Sequence, residues 1–151
     1  MLASFYHGSP IRPDRPALGS KGNLQPQISP GKPFFLTDNL DYALDFARGG
    51  HLCAFTVNTS GMASLFDTGL QEALLAIYDR DPQVGPWDED LWGEVADSTY
   101  ELLSSPAVTT HLLNKGISLV EVPEDNALGV RSIAVLDANC LRLLSVRRLN
   151  E

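Results

Sequence analysis

The sequence predicts an α+β fold, and three observations carry that prediction. Short apolar runs rich in aromatic and β-branched residues lie at both ends of the chain. Helical spacing of apolar residues is confined to the middle. The length of 151 residues suits one domain, 1–151, with one core. Strands gathered at the ends with helices between them lack the regular βαβ alternation of a doubly wound sheet.

The elements follow in order. Residues 2–6 read as a strand. Residues 8–33 hold six of the ten prolines and four glycines, which predicts a long loop. A loop of that length in a small domain is usually functional. Phe34–Leu36 reads as a second strand, and Thr37 and Asp38 are good N-caps for a helix with Leu40, Ala43, Leu44 and Ala47 on one face. Gly49 and Gly50 end it. His51–Val57 reads as a strand with Leu52 and Ala54 inward, joined by Phe55, and Ala63–Phe66 as another.

A helical insert spans about 69–115. Leu70, Leu74 and Ile77 recur at helical spacing up to Asp81-Pro82. Asp88 caps a second helix with Leu91, Val95, Thr99, Leu102 and Leu103 as its buried stripe. Pro106 opens a third, ending near Gly116. Strands are then predicted at about 117–122, 132–136 and 141–146.

Composition excludes several classes. Hydrophobic residues make up 44% and charged residues 20%, ordinary for a globular protein. No apolar run approaches the ~18–20 residues of a membrane span, and no secretory signal is visible. Cys53 and Cys140 sit in apolar stretches without metal-ligand spacing, which predicts buried thiols and a cytoplasmic, reducing setting; a single disulfide between them is the alternative. The net charge of −8 is concentrated, because residues 51–114 carry ten acidic side chains and one basic, Arg80. That argues against a nucleic-acid binder, which needs a basic face. The acidic helical face 79–101 reads as a solvated surface or as a docking face for a basic partner.

His7 is the sharpest candidate for chemistry. It ends an apolar strand and precedes Gly8, which permits close backbone approach, and Ser9, which adds a hydroxyl. His51 and His111 lack such a setting. Dinucleotide-binding, Walker-type, calcium-loop and nucleophile-elbow patterns are absent, and no metal cluster is expected.

His7-Gly8-Ser9, then Phe34-Phe35-Leu36-Thr37-Asp38-Asn39, then Ala43 and Phe46, together resemble the NAD-binding half of ADP-ribosyltransferases of the diphtheria-toxin and poly(ADP-ribose) polymerase class. That family places a second aromatic eleven residues beyond the first, as Phe46 stands beyond Phe35. Ser132–Asn139 resembles its last core strands, and Leu113–Ile117 the helix and strand before them. The resemblance implies split β-sheets around an NAD cleft, with NAD as substrate and no metal. It implies that His7 binds the adenine-side ribose, that the Gly8 backbone holds the carboxamide and that Ser9 supports the pocket. Phe35 and Phe46 would sandwich the nicotinamide ring, and Thr37 joins the cofactor-binding strand.

The chain departs from the family in two ways. Phe replaces Tyr at both aromatic sites, and Ser132 stands where the catalytic Glu is usual, or Arg131 if the match slips by one residue. Glu121, on a neighbouring predicted strand, is a candidate replacement, with Glu124 and Asp125 in the following turn as weaker ones. The expected function is transfer of ADP-ribose from NAD to a macromolecular acceptor, a protein rather than a nucleic acid, by a bacterial toxin or effector. The alternative is a catalytically inactive module that binds NAD or a partner.

Overall fold

The computed structural model describes residues 2–9, 28–48, 50–84, 99–122 and 131–149; of Ser9, Phe46 and Arg148 it describes the backbone. The fold is α+β. Among the described residues, seven strands form one mixed sheet: β1 Leu2–Ser9, β2 Phe34–Thr37, β3 His51–Asn58, β4 Ala63–Ser64, β5 Leu119–Val122, β6 Ser132–Val135 and β7 Leu141–Arg148. Their order is β4-β5-β6-β2-β1-β3-β7, so the two ends of the chain interleave. Neighbours are antiparallel except β4 and β5. Helices α1 Leu40–Ala47, α2 Thr68–Tyr78, α3 Thr99–Leu103 and α4 Pro106–Asn114, with a 3-10 turn at Ala138–Cys140, complete the described elements.

Pairing along the sheet is uneven. β1 and β3 match from Leu2↔Asn58 to Ser9↔His51, and β2 and β6 match over their full lengths. β1 and β2, by contrast, meet at one register pair, Tyr6↔Thr37. The sheet is therefore two well-paired halves joined at the end of β2, and the two strands part from there towards Ser9 and Phe34.

Alternation of side chains sorts the core into two clusters. Val120, Val122 and Ala134 face the helices and pack with Leu74, Tyr78, Leu102, Val108 and Leu112. Their neighbours Leu119, Ile133 and Val135, with Phe34 and Leu36, face the other way and pack with Phe5, Cys53, Phe55 and Val57. Burial on both faces explains why β6 reads as an unbroken apolar run rather than an alternating one.

Local chemistry moved several boundaries. The cap of α1 is Asn39, whose side chain accepts from the Tyr42 N–H; Thr37 still belongs to β2. Arg48, at φ 49° and ψ 44°, ends α1 in the left-handed conformation ahead of the glycines expected to do so. Asp67 caps α2 and starts it before Leu70. The strand expected at 63–66 is two residues long. In β3, Cys53, Phe55 and Val57 are buried with Leu52, whereas Ala54 is half-buried, so Ala54 is not an inward position. The helix expected to start at Asp88 is described only in its last part, α3, because 85–98 lies outside the described residues.

Both cysteines are free. Leu141, which follows Cys140, pairs with Val57, four residues along β3 from Cys53. At ~3.3 Å per residue that is roughly 13 Å, beyond the ~7 Å limit for a disulfide. Burial pushes both thiols up to about 11.

Candidate functional site

The point where the sheet halves join is also where the candidate residues gather. Register sets one row across five strands: Ala54, Tyr6, Thr37, Ser132 and Val122. Gly8 stands two residues beyond Tyr6 on the same face. A Cβ on Gly8 would lie 1.8 Å from the Ala43 carbonyl oxygen and 2.8 Å from the Ala47 nitrogen. The missing side chain therefore lets α1 lie directly on β1 and brings Tyr42 and Ala43 to the rim.

The result is a cavity of about 200 Å³ lined by Tyr6, His7, Gly8, Phe35, Leu36, Thr37, Tyr42, Ala43, Tyr100 and Ser132. Four of these ten residues are Tyr or Phe. Tyr100 of α3 covers Phe35 with ring centroids 4.4 Å apart at 47°.

His7 bridges the divergence of β1 and β2. Its Nδ1 lies 2.9 Å from the Phe35 carbonyl oxygen, and its ring lies 4.3 Å from that of Phe34. A carbonyl only accepts, so Nδ1 carries the hydrogen and Nε2 is the acceptor of the neutral ring. Burial holds the His7 pKa below the ordinary histidine value, against the opposing effect of the Phe35 hydrogen bond. The ring is thus a neutral acceptor at pH 7.

Thr37 lines the cavity, but its hydroxyl is engaged in local structure. It donates to the Arg131 carbonyl at 3.3 Å and accepts from the Asn39 N–H at 3.2 Å. Asp38 and Arg131 complete this clamp: each backbone N–H donates at 2.9 Å, one to the Arg131 carbonyl and the other to Asp38 Oδ1. The clamp fixes the ends of β2 and β6, and with them Ser132.

Glu121 is not brought to the cavity. It pairs with Ile133, whereas Ser132 pairs with Val122, so alternation puts Glu121 and Ser132 on opposite faces. Its carboxylate accepts from Arg131 Nε at 2.8 Å and from the Ser64 hydroxyl at 3.2 Å. Among the described lining residues there is no carboxylate. Glu124 and Asp125, and the side chains of Ser9 and Phe46, lie outside the described residues.

Sequence reasoning missed Tyr6, Tyr42 and Tyr100. Helical spacing offered a signal for Tyr42, one turn before Phe46. Tyr6 joins the site only through cross-strand register, and Tyr100 through the packing of α3. The acidic segment is partly internal. Asp81 is 4% exposed and accepts from the Ser105 hydroxyl at 2.5 Å, the Gln83 N–H at 2.9 Å and the Ala107 N–H at 3.1 Å. Glu101 accepts from the Tyr78 hydroxyl at 2.9 Å. The acids from Asp88 to Asp97 lie outside the described residues.

Among the described residues no three His, Cys, Asp or Glu side chains could hold a metal ion, and no helix is long and apolar enough to cross a membrane.

No protein-family model and no curated protein matches this sequence. Among solved structures, the chain is similar to the crystal structure of an anti-CRISPR protein. The TM-score is 0.50 and the sequence identity 13%, covering 95% of this chain and 96% of that one. At that identity the likeness is one of fold.

Proposed function

We propose that the chain is an ADP-ribosyltransferase-like protein that binds NAD with its nicotinamide ring in the aromatic cavity. The observation that carries this reading is the cavity itself, at the junction of the two sheet halves. A cavity of about 150 Å³ takes benzene, so about 200 Å³ suits one substituted six-membered ring. The rest of a dinucleotide would run outward. Stacking against Phe35 and Tyr100 contributes about 0.5–1.5 kcal/mol per aromatic pair beyond area burial. His7 Nε2 offers an acceptor to a ribose hydroxyl.

In the proposed reaction the bond between nicotinamide and ribose breaks and nicotinamide leaves as the neutral base. A nucleophile of the acceptor attacks the ribose carbon and releases a proton. The positive centre that develops needs a negative neighbour, and loss of one well-placed electrostatic group costs on the order of 10²–10³ in rate. Ser132 supplies a hydroxyl but no charge. The chain leaves β5 at Val122, the register partner of Ser132. Glu124 and Asp125 follow it in the sequence and lie outside the described residues. With Glu121 on the opposite face, Glu124 and Asp125 are the acids left to test. The anti-CRISPR neighbour directs the acceptor search towards components of a CRISPR system, and an effector delivered into another cell fits that search.

The absence of a carboxylate among the described lining residues favours a second reading, a module that binds NAD without cleaving it. Incubation with NAD and assay of free nicotinamide separates the two. The enzyme reading expects release that falls by a hundredfold or more in Glu124→Gln or Asp125→Asn and persists in Glu121→Gln. Binding without release in the parent supports the module.

A further inference from the structure

The two outer strands of the sheet differ in length. In the order β4-β5-β6-β2-β1-β3-β7 they are β4, of two residues, and β7, of eight. Among the described residues β7 pairs with β3 alone, so N–H and C=O groups along its outer side stay open to a further strand. Its two faces differ in character. Leu141, Leu143 and Val146 are half-buried against the cluster that holds Phe55 and Val57. Arg142, Ser145 and Arg147 pair with Thr56, Ala54 and Leu52 on the other face and are exposed. Leu144, 56% exposed, is the extra residue of a bulge, and that shift puts Arg142 and Arg147 on one face. Neither arginine has an ion pair among the described residues. Residues 138–150 hold three arginines and no acid, in a chain whose net charge is −8.

Charges and bulges guard an edge strand against further pairing. The guard here has one sign. A second copy added antiparallel about the middle of β7 would set Arg142 of each copy against Arg147 of the other, and like charges directly opposite are destabilising. An acidic strand meets no such barrier. A nucleic acid supplies negative charge, but its backbone lacks the alternating N–H and C=O groups that extend a ladder.

We infer that β7 is a docking edge for an extended, acidic segment of a partner protein, added antiparallel as a further strand. This does not rest on the NAD reading. The register of β3 gives the pattern of the segment, because Leu52 and Thr56, four residues apart, stand opposite Arg147 and Arg142. An incoming strand that follows the same pleat carries acids at that spacing, with apolar residues between them on the side of Leu143 and Val146.

Titration with the blocked peptide acetyl-Thr-Glu-Val-Thr-Val-Glu-Thr-amide, and with the same peptide carrying Lys for Glu, tests this. The acidic peptide is expected to saturate the protein below millimolar concentration and to bind about tenfold or more tightly than the basic one. Hydrogen exchange of the β7 amides is expected to slow in the complex. Arg142→Glu combined with Arg147→Glu is expected to reverse the preference. No binding, equal affinity for the two peptides, or binding that leaves β7 exchange unchanged overturns the proposal. Tighter binding of single-stranded oligo(dT) at the same arginines overturns it in favour of a nucleic acid, and a dimer of the parent that protects the β7 amides overturns it in favour of a second copy. Should the double variant fail to fold, the two peptides and the exchange measurement on the unaltered protein decide alone.

Discussion

Gly8 shows how one residue serves the site through packing rather than through contact with a ligand. Any Cβ there meets the backbone of α1, which cannot rotate away. Gly8→Ala is expected to cost about 1–3 kcal/mol by overpacking and to weaken NAD binding with it, both read from urea melts and titrations. His7 acts through protonation state. Its lowered pKa keeps Nε2 an acceptor throughout the neutral range. NAD affinity should stay level from pH 8 to about 6.5 and fall only below that. Stability should decline over the same acidic range, because the unfolded chain takes up a proton near pH 6.5 that the folded ring refuses. Affinity that already halves between pH 8 and 7 would contradict the assignment. Glu121 carries the opposite expectation. Its pairing with Arg131 is between partly exposed side chains, 25% and 42%, so Glu121→Gln should change stability by no more than about 1 kcal/mol.

At the scale of elements, the strand and helix types were legible because each has its own hydrophobic period. The aromatic strand, the helix after it, the Pro106 helix and the last three strands all stand close to where the pattern put them. What could not be read was register. Whether Glu121 or Val122 shares a face with Ser132 depends on a one-residue choice in pairing, which no local pattern states. The same ignorance hid Tyr6. Capping was partly hidden too. Asp81 reads as one more surface acid, yet it reaches the start of α4 and holds Ser105 and the Ala107 N–H. The Ser105 hydroxyl, followed by two backbone N–H groups, keeps its carboxyl below the usual carboxylate range. Stability from this contact is present above about pH 4, the unfolded value, and lost as pH falls through the lower folded one. Asp81→Asn should therefore lower Tm at pH 7 by a few degrees and flatten its acid dependence, checked by melts from pH 7 to 3. An unchanged melting profile would remove Asp81 from the account of α4.

At the scale of the whole molecule, the decisive feature is a sheet whose halves meet at Tyr6↔Thr37. Divergence there opens space between β1 and β2 that an evenly paired sheet would close. Residues from three strands, α1 and α3 surround it. The sequence motifs at His7 and Phe35 pointed to this place. The enclosure did not show in sequence, because Tyr100 arrives from the helical insert, far along the chain. Phe35 and Tyr100 form the wall that a bound ring would enter. Tyr100→Ala should reduce NAD affinity by about 2–10-fold, in line with the loss of one aromatic pair.

The central claim is that this cavity takes the nicotinamide ring of NAD. Calorimetric titration of the protein with NAD, in parallel with free nicotinamide as competitor, tests it most directly. The account predicts saturable binding of one NAD per chain, weakened by nicotinamide and by Tyr100→Ala. Absence of heat up to millimolar NAD, or binding indifferent to both nicotinamide and Tyr100→Ala, would contradict it.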